Sequence, residues 1–175
     1  MYYEMKTERL FLRPMNISDL QAVHEYDSDN ENTRFMLNMP NSTIQETQKY
    51  LTNAANEWEK VRPYFYKFAI VLNGSVIGMA AVYLDEKREI AELGYILNKK
   101  YWGNGYALEA ARAAKDFALN FLHVKKIFAH CDYRNAASAR LMEKIGLKLE
   151  SDDGVRIYTK RYETARELTY SFTVD

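Results

Sequence analysis

A single cysteine, Cys131, rules out an intramolecular disulfide, so no covalent staple holds this chain together. An excess of one charge is also missing, because 24 basic and 24 acidic side chains cancel. No electrostatic footprint therefore argues for nucleic acid or for an anionic membrane as partner. No apolar run reaches the roughly 18 residues of a membrane-spanning helix. The opening Met-Tyr-Tyr-Glu-Met-Lys lacks the apolar core of a secretion signal. The expectation is a soluble, cytoplasmic protein. Prolines number three and glycines seven, and no Pro/Gly/Ser-rich linker, repeat or low-complexity tract divides the sequence. One domain over 1–175 is expected, long enough to bury roughly 70% of the surface its unfolded chain exposes. The three histidines, His24, His123 and His130, have no metal-ligand spacing. No Gly-Lys-Ser/Thr occurs, which excludes a P-loop.

What is present is a legible order of elements. Residues 10–14 read as a strand stopped by Pro14. Ser18 reads as an N-cap, with Gln21 completing a capping box, for a helix to about Tyr26. A polar stretch at 28–32 interrupts. A second helix is expected after Ser42 or Thr43, with Ile44, Leu51, Ala55 and Trp58 at helical spacing and Pro63 closing it. Runs 66–72 and 76–84 flank Asn73-Gly74, a strong hairpin signal. A strand over 90–97 precedes a helix over 106–122, with Ala110, Ala114, Phe117 and Phe121 in one stripe. A strand over 126–132 and a helix over 135–144 follow, and Gly146 is placed to be the left-handed cap of that helix. Strands at 155–161 and 167–174 finish the chain, with 147–150 as a short one between. This order predicts an α+β (mixed α/β) fold, a sheet covered by helices.

Residues 95–108 carry the most information. Gly103 and Gly105 flank Asn104 ahead of an Ala-rich helix. A glycine turn opening a helix aims several unpaired backbone N–H groups at one point, with the positive end of the helix dipole behind them. Such a turn is a diphosphate cradle made of main chain. A dinucleotide-binding fingerprint fits poorly. Residues 98–102 separate the strand from the first glycine, and Leu108 stands where Gly or Ala is needed. Too little chain follows for two mononucleotide-binding halves, although Asp132 ends the next strand as a ribose-binding acid does. By itself a Gly-x-Gly is more often only a tight turn.

Four ordered segments change that balance. Thr7-Glu8-Arg9-Leu10-Phe11-Leu12-Arg13-Pro14 followed by Asp19, Ala91-Glu92-Leu93-Gly94-Tyr95, Tyr101-Trp102-Gly103-Asn104-Gly105-Tyr106-Ala107, and Asn135-Ala136-Ala137-Ser138 with Glu143-Lys144-Ile145-Gly146-Leu147 span nearly the whole chain. Together they resemble the GNAT superfamily of acetyl-CoA-dependent N-acetyltransferases, in the branch containing the ribosomal-protein N-terminal acetyltransferases. The resemblance implies a mostly antiparallel twisted sheet of about seven strands, with helices on both faces and the fourth and fifth strands splayed. The pantetheine arm of acetyl-CoA, a cosubstrate, would lie in that opening and pair with the backbone of Tyr95, Ile96 and Leu97. The diphosphate would sit at Trp102, Gly103, Asn104, Gly105, Tyr106 and Ala107, with glycine leaving room for close approach. Trp102 stands where the family usually has Gln or Arg, so no side-chain cation is implied there. Lys99 and Lys100 read as a solvated pair rather than phosphate ligands. Asn135 and Ser138 would face the cofactor, or Asn135 would only cap its helix. No metal is implied, and homodimers are frequent in the branch.

The implied reaction is attack of an amine on a thioester. Only the neutral amine is nucleophilic, and deprotonation at pH 7 costs about 4.6 kcal/mol for a lysine side chain but about 1.1 for an α-amine. Alignment then supplies much of the acceleration. Glu92 is the candidate base, acting through water, against an alternative as the ion-pair partner of a nearby Arg or Lys. Many relatives use a tyrosine seven residues after the asparagine as the acid; Met142 stands there and cannot donate a proton. Ser138 is the alternative donor to the departing sulfur, with Tyr133 as a spare. Cys131 reads as a small buried hydrophobe and His130 as a packed strand residue. Tyr64-Phe65-Tyr66 is a strand entry or the wall of an acceptor pocket. The expected acceptor is a protein or peptide N-terminal amine. A small-molecule amine, or a non-catalytic acyl-CoA sensor, are the alternatives.

Overall fold

A computed structural model describes residues 3–174. The strands are β1 (Met5–Lys6), β2 (Phe11–Pro14), β3 (Phe65–Leu72), β4 (Ser75–Leu84), β5 (Ile90–Leu97), β6 (Lys126–Asp132), β7 (Lys148–Tyr158) and β8 (Glu163–Thr173). The helices are α1 (Leu20–Asp27), α2 (Ile44–Trp58), α3 (Tyr106–Asp116) and α4 (Ala136–Lys144). All eight strands form one sheet, in the order β1-β2-β3-β4-β5-β6-β8-β7. Every neighbouring pair is antiparallel except β5–β6. A parallel pair needs a crossover, and α3 supplies it.

Side-chain alternation along the strands divides the interior into two cores. Leu12, Phe68, Val82, Leu93, Ile127 and Cys131 pack with the buried alanines of α3 and Met142 of α4. Met79, Ala81 and Ile96 point the other way, under Val23 and Tyr26 of α1 and Leu51 and Ala54 of α2. The expected helices on both faces are therefore present, on an eight-stranded rather than a seven-stranded sheet. The additional strand is β1, too short to leave a pattern in the sequence.

Local chemistry explains the other differences. Asn73 and Gly74 both take positive φ (49° and 82°), which matches the twist of the β3–β4 hairpin. Thr43 and Glu46 form a capping box at α2, and Gly146 takes φ 86° after α4. At the first helix the box is formed not by Ser18 and Gln21 but by Asn16 and Asp19. The reason lies outside the motif: Arg13 holds both carboxylate oxygens of the buried Asp19 (2.6 and 2.9 Å) and so fixes it at that turn. α2 buries Ala54 rather than Ala55. α3 loosens into a π turn over Phe117–Phe121, leaving Phe121 45% exposed at the end of its stripe. The strands expected at 147–150 and 155–161 merge into one, β7, which ends at Tyr158; residues 151–154 between them are absorbed as register shifts against β8, and 159–161 turn toward β8.

Asp132 locks the junction between β6 and α4. Its side chain is fully buried and accepts from Arg134 Nε (2.9 Å), Arg134 Nη2 (2.7 Å) and the Tyr158 hydroxyl (2.6 Å). Burial alone would raise its pKa, but the Arg134 and Tyr158 bonds overrule it and bring it down to about 2. A folded-state pKa below the unfolded value near 3.9 means stabilisation present above about pH 4 and lost as pH falls toward 2. Asp132→Asn is expected to cost about 2–3 kcal/mol at pH 7. Urea midpoints measured from pH 7 to 2 should converge for the two proteins in acid; parallel profiles would deny Asp132 this role.

Candidate active site

The β5–β6 pairing ends early. Ile90, Ala91 and Glu92 face Lys126, Ile127 and Phe128, and there the ladder stops. Both strands nevertheless continue, β5 against β4 as far as Leu97 and β6 against β8 as far as Asp132. The inner edges of residues 93–97 and 129–132 thus carry backbone groups with no strand between them. Tyr95, Ile96 and Leu97 line this opening, with Ile96 and Leu97 themselves buried.

The glycine turn stands beside the carboxyl end of β5. Gly103 (φ 79°) and Gly105 (φ 81°) both lie in the left-handed region, so each is required by the backbone path itself. Around Gly103 a Cβ would meet nothing within 4 Å, which leaves open space in front of the loop. Gly105 caps α3 without any side-chain bond. Among the described residues, the N–H groups of Gly103, Asn104, Gly105, Tyr106, Ala107 and Leu108 have no acceptor. Trp102 donates its indole N–H to Leu97 O (2.8 Å), and Asn104 donates to Tyr101 O and Trp102 O (3.2 and 3.0 Å), so both side chains close the loop rather than extend it. Lys99 pairs with Asp29 and Glu31, and Lys100 with Glu25. Both stay exposed to solvent, as expected, and their surface ion pairs tie α1 and the segment after it to the loop. A cation reaches the turn from elsewhere: Arg9 donates from Nη1 to Asn104 O (2.9 Å), and its guanidinium lies 4.6 Å from the Tyr106 ring centroid.

Glu92 and Ser138 flank the opening from opposite faces of the sheet. Glu92 is half-buried, shares its face with Ile96, and lies between Tyr83 on β4 and Phe128 on β6. No Lys or Arg pairs with it among the described residues, so the ion-pair role is not realised. Arg156, the nearest rival cation, binds Glu167 (2.7 Å) and Phe35 O (3.0 Å) instead. Burial pushes the Glu92 carboxyl above the ordinary carboxylate range; His130 and Arg156 draw it back, and the Glu167 charge adds to the rise.

On the other face, the Ser138 hydroxyl lies 2.8 Å from the Tyr95 hydroxyl. Burial raises the Tyr95 phenol, so it stays protonated at neutral pH. Asn135 accepts from Ser138 N (3.2 Å), which commits its carbonyl to capping α4. Met142 is wholly buried in the larger core. Tyr133 is 48% exposed and sits over Arg134 and Arg166 rather than in the opening. Burial lifts the Cys131 thiol to about 11, which leaves it an inert core residue. Asp132 is consumed by Arg134 and Tyr158 and cannot hold a ribose. His130 bonds Thr169 (3.1 Å) and His24 bonds Thr47 (2.8 Å). Among the described residues, no three His, Cys, Asp or Glu side chains converge as metal ligands do, and no helix is long and apolar enough to cross a membrane.

Sequence reading missed a cluster on the Glu92 face. Lys67 of β3 is buried with no ion pair among the described residues, its ammonium 3.9 Å from the Tyr50 ring centroid, 5.0 Å from Phe65 and 5.8 Å from Tyr83. Burial brings it down to about 8, against the pull of Asp27. Asp27, buried at the end of α1 and bonded by Asn41 Nδ2 (3.2 Å), rises to about 7 for the same reason. The available signal was a lysine inside the otherwise apolar run Phe65–Leu72. Of the aromatic triplet, Phe65 joins this cluster, Tyr66 enters the opposite core and Tyr64 stays exposed.

Comparison with known proteins agrees with this geometry. Residues 9–148 match the profile of the acetyltransferase (GNAT) domain. The chain is 30% identical over 146 residues to the uncharacterized N-acetyltransferase YnaD of Bacillus subtilis, covering 82% of each. It is 24% identical to spermidine N(1)-acetyltransferase of Escherichia coli, over 81% of this chain and 74% of that one. The crystal structure of a GNAT-family acetyltransferase from Bacillus anthracis superposes with a TM-score of 0.84 at 27% identity, covering 98% of both chains. The ribosomal L7/L12 α-N-protein acetyltransferase RimL, solved with coenzyme A, shares the fold at a TM-score of 0.84 and 19% identity over 99% of each chain. With parted strands, a main-chain cradle and a profile match across most of its length, this chain belongs to the GNAT acetyltransferase family.

Proposed function

We propose that this protein transfers an acetyl group from acetyl-CoA directly to a primary amine in a ternary complex, and that the amine is the α-amine of a peptide or protein. The observation that carries this reading is the early end of the β5–β6 ladder beside an unpaired glycine cradle. Acetyl-CoA supplies the activated acetyl thioester. Residues 95–97 hold its amide-bearing arm as a missing strand would be held. The free N–H groups of residues 103–108 receive the diphosphate. Ala107 and Leu108, in the first turn, keep their N–H groups available because the helix begins too late to use them.

Glu92 takes the ammonium proton, through a water, from the face that carries α1 and α2. Burial, which raises its pKa, makes it a stronger base than an exposed glutamate. On the opposite face the Tyr95 and Ser138 hydroxyls lie 2.8 Å apart; with Tyr95 in the donor role, Ser138 passes its own proton to the departing thiolate and takes the Tyr95 proton in its place. Met142 belongs to the core, so the missing tyrosine leaves no hole in the site and Tyr95 brings a hydroxyl from another strand. An α-amine suits such modest acid–base equipment, since its deprotonation at pH 7 is about 3.5 kcal/mol less costly than that of a lysine side chain. The buried Lys67 ammonium near the same face also disfavours polycationic acceptors.

Two measurements test these roles. Glu92→Gln should lower kcat about 100-fold at pH 7 with an N-terminal peptide acceptor, leave KM for acetyl-CoA unchanged, and regain rate as pH rises past the acceptor pKa. A rate equal to wild type at every pH removes Glu92 from the mechanism. Ser138→Ala and Tyr95→Phe should each lower kcat roughly tenfold, and their combination should cost little more than either alone, because they act as one unit. Full multiplication of the two losses would show that the hydroxyls act separately. Ser138→Ala keeps the backbone N–H that Asn135 caps, so α4 should persist.

A further inference from the structure

Arg9 lies 94 positions or more from the residues it meets in the α3 turn, yet three bonds bring its segment there. Its Nη1 donates to Asn104 O (2.9 Å), its Nε donates to Glu109 Oε2 (2.7 Å), and its backbone N–H donates to Glu109 Oε1 (2.8 Å). Thr7 adds a hydroxyl bond to the same carboxylate oxygen (2.6 Å). The second terminal nitrogen, Nη2, has no protein acceptor among the described residues and lies 3.4 Å from where a Cβ on Gly105 would stand.

Two consequences follow from elementary geometry and charge. In a trans peptide the C=O and N–H point in opposite directions. A donor that fixes Asn104 O on the Arg9 side therefore aims the Gly105 N–H to the opposite side. Glu109, in the first turn of α3, would otherwise present a negative charge at the entrance where an anion must bind. Arg9 and Thr7 saturate it. Trp102 occupies the loop's first position and uses its N–H on Leu97 O, and Lys99 and Lys100 are paired with carboxylates at 25 to 31, so this part falls to Arg9.

We propose that Arg9 is a positioning residue for the coenzyme: it sets the Asn104–Gly105 peptide in its anion-accepting orientation and cancels the Glu109 charge beside the cradle. This rests on the reading that residues 103–108 hold the diphosphate of coenzyme A. Glu109 below its ordinary pKa, through bonds from Thr7 and Arg9 that outweigh burial, agrees with a carboxylate held ionised and neutralised in place.

The test is calorimetric titration of CoA into wild type, Arg9→Ala, Arg9→Lys, Glu109→Gln and the Arg9→Ala/Glu109→Gln pair, with thermal melts and steady-state kinetics on each. Arg9→Ala should weaken CoA roughly tenfold or more, since a charge-assisted bond and the loop's preorganisation are lost together. Arg9→Lys, which keeps the charge without the planar fork, should fall between. Adding Glu109→Gln to Arg9→Ala should recover several-fold of the loss, and KM for acetyl-CoA should move while kcat at saturation stays within twofold. Should Arg9→Ala melt below the assay temperature, the Arg9→Lys and Glu109→Gln titrations carry the same test. CoA binding by a folded Arg9 variant within twofold of wild type overturns the inference and leaves the acetyltransferase reading intact. A double variant no better than Arg9→Ala overturns the charge-cancelling role. Wild type that ignores CoA at millimolar concentration overturns both readings.

Discussion

One parallel strand pair organises this molecule. Antiparallel neighbours such as β3–β4 and β7–β8 are joined by short turns and run alongside each other. The parallel pair β5–β6 must be joined by a crossover, and α3 is that crossover. The ladder between them is three residue pairs long, and beyond it the two strands follow other partners. The same crossover that forces the strands to be parallel also sets its own N-terminus beside the place where they part. An unpaired sheet edge and an unpaired helix entrance are therefore neighbours by topology.

The two faces of the sheet at that opening carry different chemistry, because side chains alternate along β5. Leu93 and Tyr95 face the larger core and the start of α4. Glu92 faces the smaller core, among groups drawn from β3, β4, β6, β7 and β8. Proposed base and proposed proton donor thus stand on opposite sides of the strand by virtue of period-two geometry. The supports behind them are unlike. Ser138 is fixed by a capped helix and by Asp132, which anchors the preceding turn. Glu92 has no direct hydrogen-bond or ion-pair partner among the described residues.

Much of this was legible in the sequence, and the reasons are specific. Asn73-Gly74, Thr43 with Glu46, and Gly146 encode local backbone demands that only a few residue types meet, so their elements stood within a residue or two of expectation. The Gly103–Gly105 turn was readable for the same reason. What escaped depended on distant partners. Asp19, rather than Gln21, completes the first capping box because Arg13 holds it. The two strands expected at 147–150 and 155–161 run together because β8 offers a continuous partner. Lys99 and Lys100 are solvated as expected, but their carboxylate partners at 25 to 31 lie far away in the sequence. Arg9 and the Tyr95 hydroxyl lie in segments whose resemblance to the family was recognised, yet only the three-dimensional contacts reveal what each meets.

Amide hydrogen exchange with and without coenzyme A tests the central proposition most directly, because the proposed ligands are main-chain N–H groups that no side-chain substitution removes. Saturating coenzyme A should slow exchange at residues 103–108 and 95–97 together, with little change across the β7–β8 hairpin. Unaltered exchange at both segments under conditions where coenzyme A is bound would contradict a main-chain cradle at this opening.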